Sequence, residues 1–420
     1  MASWSESPDA RQVLEEVGIT SLPHDWGIVR IESLLSPDRG ISVGVMYPGE
    51  HDPLGIPLIK AGDLSGSRIV SNPTFRISRE KHEEYRRTAL SGGELLLSLV
   101  GDVGRCAVVP ARMKGWNAAR AIAVLRLVDP SDAAFLRFCL MSSPLQHLMQ
   151  AWSTTTVQAT LNLKEIRQIP LPWPSKGHRD AIAHILGTLD DKIELNRRMN
   201  ETLEALAQAI FDDMFESDVP DAVVGDLADI EHDGVSPMDH EDELFDLYSL
   251  PAFDEGRRPV RERGGNIKSN KFVVRAGVVL LSKLNPSIPR VWYPHVRQEP
   301  RSIASTEFQV MRPRAPSSPE FMYCLLRSEP VRDHLVGLAS GTSNSHQRVK
   351  PDDLLATPCP KPSPDSLDRF TQTVRPMLER VNAGIDESAT LAALRDTLLP
   401  KLLSGELRIP DAEKMVEATL

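Results

Sequence analysis

The side chains in this sequence whose types and spacing could do chemistry are cations and amides rather than nucleophiles. Between Arg257 and Arg314 there are thirteen Lys and Arg against only Glu262, Glu299 and Glu307, and residues 60–126 hold twelve basic residues against six acidic ones. Guanidinium and ammonium groups in such excess neutralise phosphates and fit guanine edges, while Asn and Gln fit adenine and Ser and Thr fit any base. The candidate contacts to a polyanion are Lys60, Arg68, Arg105, Lys114, Arg120 and Gln158 in the first half. In the second half they are Lys268, Lys271, Lys283, Arg290, Asn344, His346 and Arg348. Gln158, Asn344 and His346 lie in two short polar loops, Ser153-Thr-Thr-Thr-Val-Gln158 and Gly341-Thr-Ser-Asn-Ser-His-Gln347. Opposed to these blocks, residues 212–255 carry sixteen Asp and Glu and no Lys or Arg, and the whole chain has a net charge of −10. That acidic stretch reads as a solvated loop or as a surface for a partner.

Catalytic motifs do not emerge. No GxxxxGK[ST] cradles a nucleoside triphosphate and no GxSxG turn presents a serine. Asn72-Pro-Thr-Phe75 and Asn285-Pro-Ser-Ile288 approach an Asn-Pro-Pro-aromatic element that holds an amino group for methyl transfer, but both lack the second proline. His178, His184, His232, His240, His295, His334 and His346 are scattered, and Cys106, Cys139, Cys324 and Cys359 stand alone, with no CxxC. Neither a metal nor a cofactor is expected, and the chain reads as a binder rather than an enzyme. The opening MASWSESPDARQ is no signal peptide and no apolar run is long enough to span a membrane, so a cytoplasmic setting is expected.

The elements that position these residues come in two copies. Residues 176–216 form a proline-free stretch with apolar residues at Ile182, Ile185, Leu189, Ile193, Leu203, Leu206, Ile210 and Met214, the stripe of a long helix that packs along another. Adding 188 to these numbers lands on a second copy: Pro170, Pro172 and Pro174 map to Pro358, Pro360 and Pro362, Ile182 to Phe370, Leu203 to Leu391 and Ile210 to Leu398. Upstream the offset slips: Phe135–Pro144 matches Phe321–Pro330 at 186, and Gly93–Ser98 matches Gly277–Ser282 at 184. The fold expected is α+β with two α/β domains. The long helices separate and follow them, pairing as an antiparallel, pseudo-two-fold coiled coil. Residues 1–175 and 217–363 form the domains, 176–216 the central helix, and 364–420 the distal helix and tail. One helix is expected across 133–150 and another across 319–338. Pro376 should kink or divide the second long helix, Asp190 and Asp191 should lie on a solvated face, and the chain beyond Gly405 should be extended and frayed. Two similar, non-identical basic units in one chain point to a split, asymmetric DNA target with an unread spacer.

This layout resembles the specificity subunit of type I restriction–modification systems over nearly the whole chain. Ile182-Ala-His-Ile-Leu-Gly-Thr-Leu-Asp-Asp-Lys-Ile-Glu-Leu-Asn-Arg-Arg-Met-Asn200, with Ile169-Pro-Leu-Pro172 ahead of it, is similar to the family's central helix. Leu394-Arg-Asp-Thr-Leu-Leu-Pro-Lys-Leu-Leu-Ser-Gly-Glu-Leu407 is similar to the distal one. Gly93-Glu-Leu-Leu-Leu-Ser98 with Gly101-Asp-Val-Gly104 resembles part of its target-recognition domain; in the second unit the turn reads Lys283-Leu-Asn-Pro-Ser-Ile288, without the glycine pair. The resemblance implies a non-catalytic subunit that binds double-stranded DNA. It also implies that two methylation subunits and restriction-translocation subunits dock through the helices carrying Ile182, Ile193, Leu203, Ile210, Leu391 and Leu398. A stand-alone DNA-binding protein, or the recognition subunit of a fused restriction–methylation enzyme, is the alternative.

Overall fold

The structure is a computed structural model that describes residues 9–20, 22–65, 68–70, 72–155, 159–215, 220–339 and 347–420. Gln158, Asn344 and His346 lie outside these residues. The chain forms two compact units, one of residues 1–192 with 391–420 and one of residues 193–390. The long helices run Lys176–Phe215 and Pro364–Leu403, forty residues each and 188 apart at both ends. Each unit therefore takes one end of each helix.

In the first unit, a four-stranded antiparallel sheet has the order Ile41–Val43, Ile122–Leu125, Leu95–Ser98, Cys106–Val108. All four residues of Leu95–Ser98 are buried, which is why this strand reads as a continuous apolar run rather than an alternation. Beside it lies a three-stranded sheet in which Ile56–Ile59 runs parallel to Asn117–Ala118 and antiparallel to Arg76–Ile77. The second unit repeats this plan. Its four-stranded sheet is Ala228–Glu231, Phe308–Pro313, Val279–Ser282, Val291–Trp292, and its second sheet grows to five strands around the parallel pair Leu244–Tyr248 and Arg301–Ser305.

The proline straps are strands that close each unit on itself. Pro170–Trp173 pairs antiparallel with Gly27–Arg30, and Pro358–Cys359 with Ala222–Val223. These are two-stranded ribbons, where a proline without an N–H is tolerated.

Within each unit the two helices run antiparallel. In the second unit, Phe211 and Phe215 near the end of the first helix meet Phe370 near the start of the second, with Phe321 of the domain completing the cluster at ring separations of 5.2 to 6.2 Å. The equivalent positions in the first unit are Leu399, Leu403, Ile182 and Phe135, all buried, so one core is aromatic and the other largely aliphatic. The first unit adds an ion pair instead: Asp190 is 2.8 Å from Arg137 of the domain and 2.7 Å from Arg395 of the second helix. Asp190 is thus buried, not solvated as its sequence context suggested, because two guanidinium groups meet it there. In the second unit, Glu204 on the first helix accepts from the Tyr323 hydroxyl at 3.0 Å and pairs with Arg257 and Arg327.

Four further expectations are corrected. Each domain has two short helices in place of one, Ala133–Met141 then Ser143–Trp152 and Pro319–Arg327 then Glu329–Leu338. The breaks fall at Ser142 and Ser328, where Pro144 and Pro330 occupy the first turn of the following helix and disfavour continuation through the residue before. Pro376 does not divide the second long helix; it sits on an exposed face, where the carbonyl it leaves unpaired meets water. The tail is not frayed: Ile409–Glu417 is helical, opens with Pro410 and buries Ala412 and Val416.

Candidate nucleic-acid interface

The same main-chain device is built twice. The central strand of each four-stranded sheet ends in a serine, Ser98 or Ser282, whose N–H donates to the carbonyl of Arg105 at 2.8 Å or of Arg290 at 3.0 Å across the following turn. The serine hydroxyl donates into the same turn, to the carbonyl of Asp102 at 2.5 Å and of Leu284 at 3.1 Å. The chain emerging from the polar loop then docks alongside: Leu161 N–H donates to Leu99 at 3.0 Å, and Val349 N–H to Lys283 at 2.9 Å. Arg105 and Arg290 are therefore equivalent. In the first unit the turn needs Gly101 and Gly104 at φ +78° and +97°, and the Gln146 amide fills the space a side chain on Gly104 would take. In the second, Asn285 supplies the left-handed residue at φ +50°.

Lys60 and Arg120 join this end of the first unit. They follow the parallel strands Ile56–Ile59 and Asn117–Ala118, with Ala119 N–H donating to Ile59 at 2.8 Å and Leu99 N–H to Ala121 at 2.8 Å, so both stand beside the Arg105 turn. The Lys60 ammonium lies 4.0 Å from the centre of the Phe75 ring, and Arg120 is exposed, with no ion pair among the described residues. Arg105 pairs with Asp102 and donates to the Leu64 carbonyl at 3.3 Å. Arg68 is turned to the long helix, donating to the Asp190 carbonyl at 3.0 Å. Lys114 is not brought to this end: it precedes Gly115, whose N–H donates to Leu90, ahead of the strand Leu95–Ser98 and so at the opposite end from the Ser98 turn.

In the second unit, Lys271, Lys283 and Arg348 converge on the turn after Arg301–Ser305. Lys271 stands opposite Ser305, Lys283 donates to the Thr306 carbonyl at 2.6 Å, and Arg348 pairs with Glu307 at 3.1 Å. Lys271 is buried and bonded to the Ser269 carbonyl and hydroxyl, and burial holds its pKa below the usual lysine value. Burial also lowers the Lys283 pKa, as does Arg348, against an opposing pull from Glu307. Lys268 is exposed and donates to Gly265 at 2.8 Å, while Arg290 is held by Asp254 at 2.7 and 2.9 Å.

One residue was missed. Leu90 N–H donates to Trp116 as Val274 N–H does to Ser302, both at 2.9 Å, so these two residues correspond and Arg87 takes the sequence place of Lys271, in a 3-10 turn (Arg86–Thr88) rather than a strand. Arg87 is exposed, with no ion pair among the described residues. The 184-residue offset already matched at Gly93 and Gly277 would have found it.

The acidic stretch has an internal use. Arg261, Arg263, Arg275, Arg290, Arg301, Arg312 and Arg314 pair with Asp246, Asp242, Asp233, Asp254, Glu243, Glu231 and Asp229. Seven of the thirteen cations between Arg257 and Arg314 are thus compensated from residues 212–255, and the lopsided blocks become a balanced surface. Such partly exposed pairs add little stability, but they remove the broad positive field that sequence suggested. A cavity of about 490 Å³ in this unit is equally neutral: Arg257, Arg261 and Arg297 in its wall pair with Glu204, Asp246 and Asp386. No cluster of side chains able to hold a metal exists among the described residues.

The residues proposed to meet partner subunits divide by burial. Ile182, Leu391 and Leu398 are covered by the chain itself and hold its own helices, while Ile193, Leu203 and Ile210 are half-buried. Leu195 and Leu206 are the exposed large apolar residues of the first long helix, at 58% and 45%.

A family profile described as the type I restriction modification DNA specificity domain matches residues 46–205. The type I restriction enzyme EcoBI specificity subunit of Escherichia coli is 27% identical over 221 residues, covering 49% of this chain and 46% of that protein, so the match spans about half of that relative. The type I restriction enzyme MjaIX specificity subunit of Methanocaldococcus jannaschii is 21% identical, covering 94% of this chain and 97% of that one. The crystal structure of the S subunit of a type I restriction–modification system from M. genitalium shares the fold, with a TM-score of 0.57 at 15% identity, covering 92% of this chain and 98% of that one. Residues 46–205 thus match the type I restriction–modification DNA specificity domain, and the chain as a whole, with its duplicated domains and two forty-residue helices, is similar to type I specificity subunits.

Proposed function

We propose that this chain is the address-reading component of a type I restriction–modification complex and performs no chemistry itself. Each domain reads one half of a bipartite, asymmetric sequence in double-stranded DNA, and the spacer between the halves is left unread. Two methylation subunits and the restriction-translocation subunits dock through the helices, where Leu195 and Leu206 offer exposed apolar surface. The observation that carries the reading is the serine-anchored turn built twice on one backbone plan with different side chains, Arg105 and Lys60 in one copy, Arg290 and Lys283 in the other. Equivalent frames support equivalent tasks, and unlike side chains support unlike half-sites.

The test is single-molecule sequencing of methylated adenines in the source organism with and without this chain. A split, asymmetric motif present only with the chain supports the reading and gives the target. Methylation that is the same in both strains overturns it.

A further inference from the structure

Three chain segments end side by side at the interface end of the first unit. Val45 bridges Ala119 in parallel, and its N–H donates to Ala118 at 2.6 Å; Ala119 N–H in turn donates to Ile59 at 2.8 Å. Continuing each segment past its last pairing brings Met46 and Tyr47, then Arg120, then Lys60 to one edge. Gly44 permits this approach, since a side chain there would lie 2.1 Å from the Ala118 carbonyl oxygen. Tyr47 is 69% exposed, and neither its ring nor its hydroxyl has a partner among the described residues. Met46 beside it is 37% exposed. A single exposed apolar side chain is ordinary. Here an aromatic ring stands instead at the end of a row with two exposed cations, Arg120 next to it and Lys60 beyond, just past a backbone pinned at Val45 by hydrogen bonds. Cations at such an edge hold phosphates, and a neutral amphipathic ring beside them is suited to the groove.

We propose that Tyr47 is a base-contacting, specificity-determining residue of the first unit. Its ring packs on a base edge, with a thymine methyl the best fit, and Lys60 and Arg120 hold the flanking phosphates. This rests on the DNA-reading function above. Being neutral, Tyr47 contributes to which sequence is bound and not to the salt dependence of binding, whereas Lys60 and Arg120 do the reverse.

The experiment replaces Tyr47 by Ala, and separately by Phe, at the chromosomal locus, so that the chain acts in its native assembly, and sequences methylated adenines genome-wide. Tyr47→Ala is expected to relax one half-site at one or two adjacent positions by roughly tenfold in preference, with the other half-site and the spacer unchanged. Tyr47→Phe keeps the ring, and retention of the wild-type motif assigns the contact to it. An unchanged motif in Tyr47→Ala overturns the proposal, as does a uniform loss of methylation across all sites at normal protein abundance. A deletion strain that retains the wild-type pattern overturns the DNA reading itself, an outcome distinct from either.

Discussion

Arg137 and Asp190 stand 2.8 Å apart with side chains only 8% and 6% exposed, one on a domain helix and the other on the long helix. A buried carboxylate needs its cations, because an unpaired charge in that setting carries a large desolvation penalty. Asp190→Ala should therefore destabilise the first unit by about 3–5 kcal/mol, leaving Arg137 and Arg395 without their shared partner. The triple replacement Arg137→Met, Asp190→Leu, Arg395→Met should recover most of the loss. Urea unfolding followed by tryptophan fluorescence measures both; a cost under about 1 kcal/mol for Asp190→Ala would mean that water reaches the pair.

Glu320 gives a pH-dependent counterpart in the second unit. Burial opposes its charge, but the Arg375 guanidinium at 2.8 Å, its own backbone N–H and the Tyr293 hydroxyl at 3.0 Å outweigh that and hold its pKa below the usual 4.5. A depressed carboxylate pKa adds stability that is complete above the unfolded value and lost as pH falls through the folded one. Wild type should lose stability faster than Glu320→Gln as pH drops below about 4.5, with the two running parallel above pH 6. Melting temperatures from pH 3 to 7 decide this, and parallel curves throughout would contradict it.

The four cysteines should be inert in the folded chain. All are buried, and burial pushes Cys106, Cys324 and Cys359 up to about 12 and raises Cys139 as well. At pH 8 about one thiol in ten thousand would be thiolate, so a disulfide reagent should find no reactive group in minutes and four in denaturant. Fast reaction of any one in the native protein would place it at the surface.

Lys60→Ala and Arg120→Ala should each weaken DNA binding by the complete assembly almost equally on all sequences, and each should reduce the log–log salt slope by about 1. Arg290→Ala should behave differently, since Asp254 already holds that guanidinium. Its loss frees a carboxylate at the turn and should lower affinity with a smaller change of slope. Binding titrations at several salt concentrations separate the two cases.

What the sequence disclosed, and what it hid, follows from range. The 188-residue offset is a statement about periodic burial, and both long helices obey it to the residue. The prolines at 170 and 358, matched at the same offset, open corresponding strands for the same reason: a proline constrains its own neighbourhood. Partnerships between distant side chains leave no such trace. Nothing near Asp190 announces Arg395, 205 residues away, and nothing in residues 212–255 says that their carboxylates face the arginines of neighbouring strands. Burial of Lys271 was invisible for the same reason, so a lysine expected at a phosphate turned out to cap the loop before its own strand. The tail helix escaped because its apolar face is short, Ile409, Ala412 and Val416.

The internal charge compensation of the second unit sets where that unit can be cut. Its acidic segment precedes its basic one, and seven arginines find their counter-charges across that boundary. A recombination joint near residue 256 would inherit cations from one parent and carboxylates from another, stranding up to seven of each. Joints in the long helices, near residues 216 and 364, would transplant the set intact. The domain is therefore transferable only as a whole, and a chimera that exchanges it entire should keep every pair.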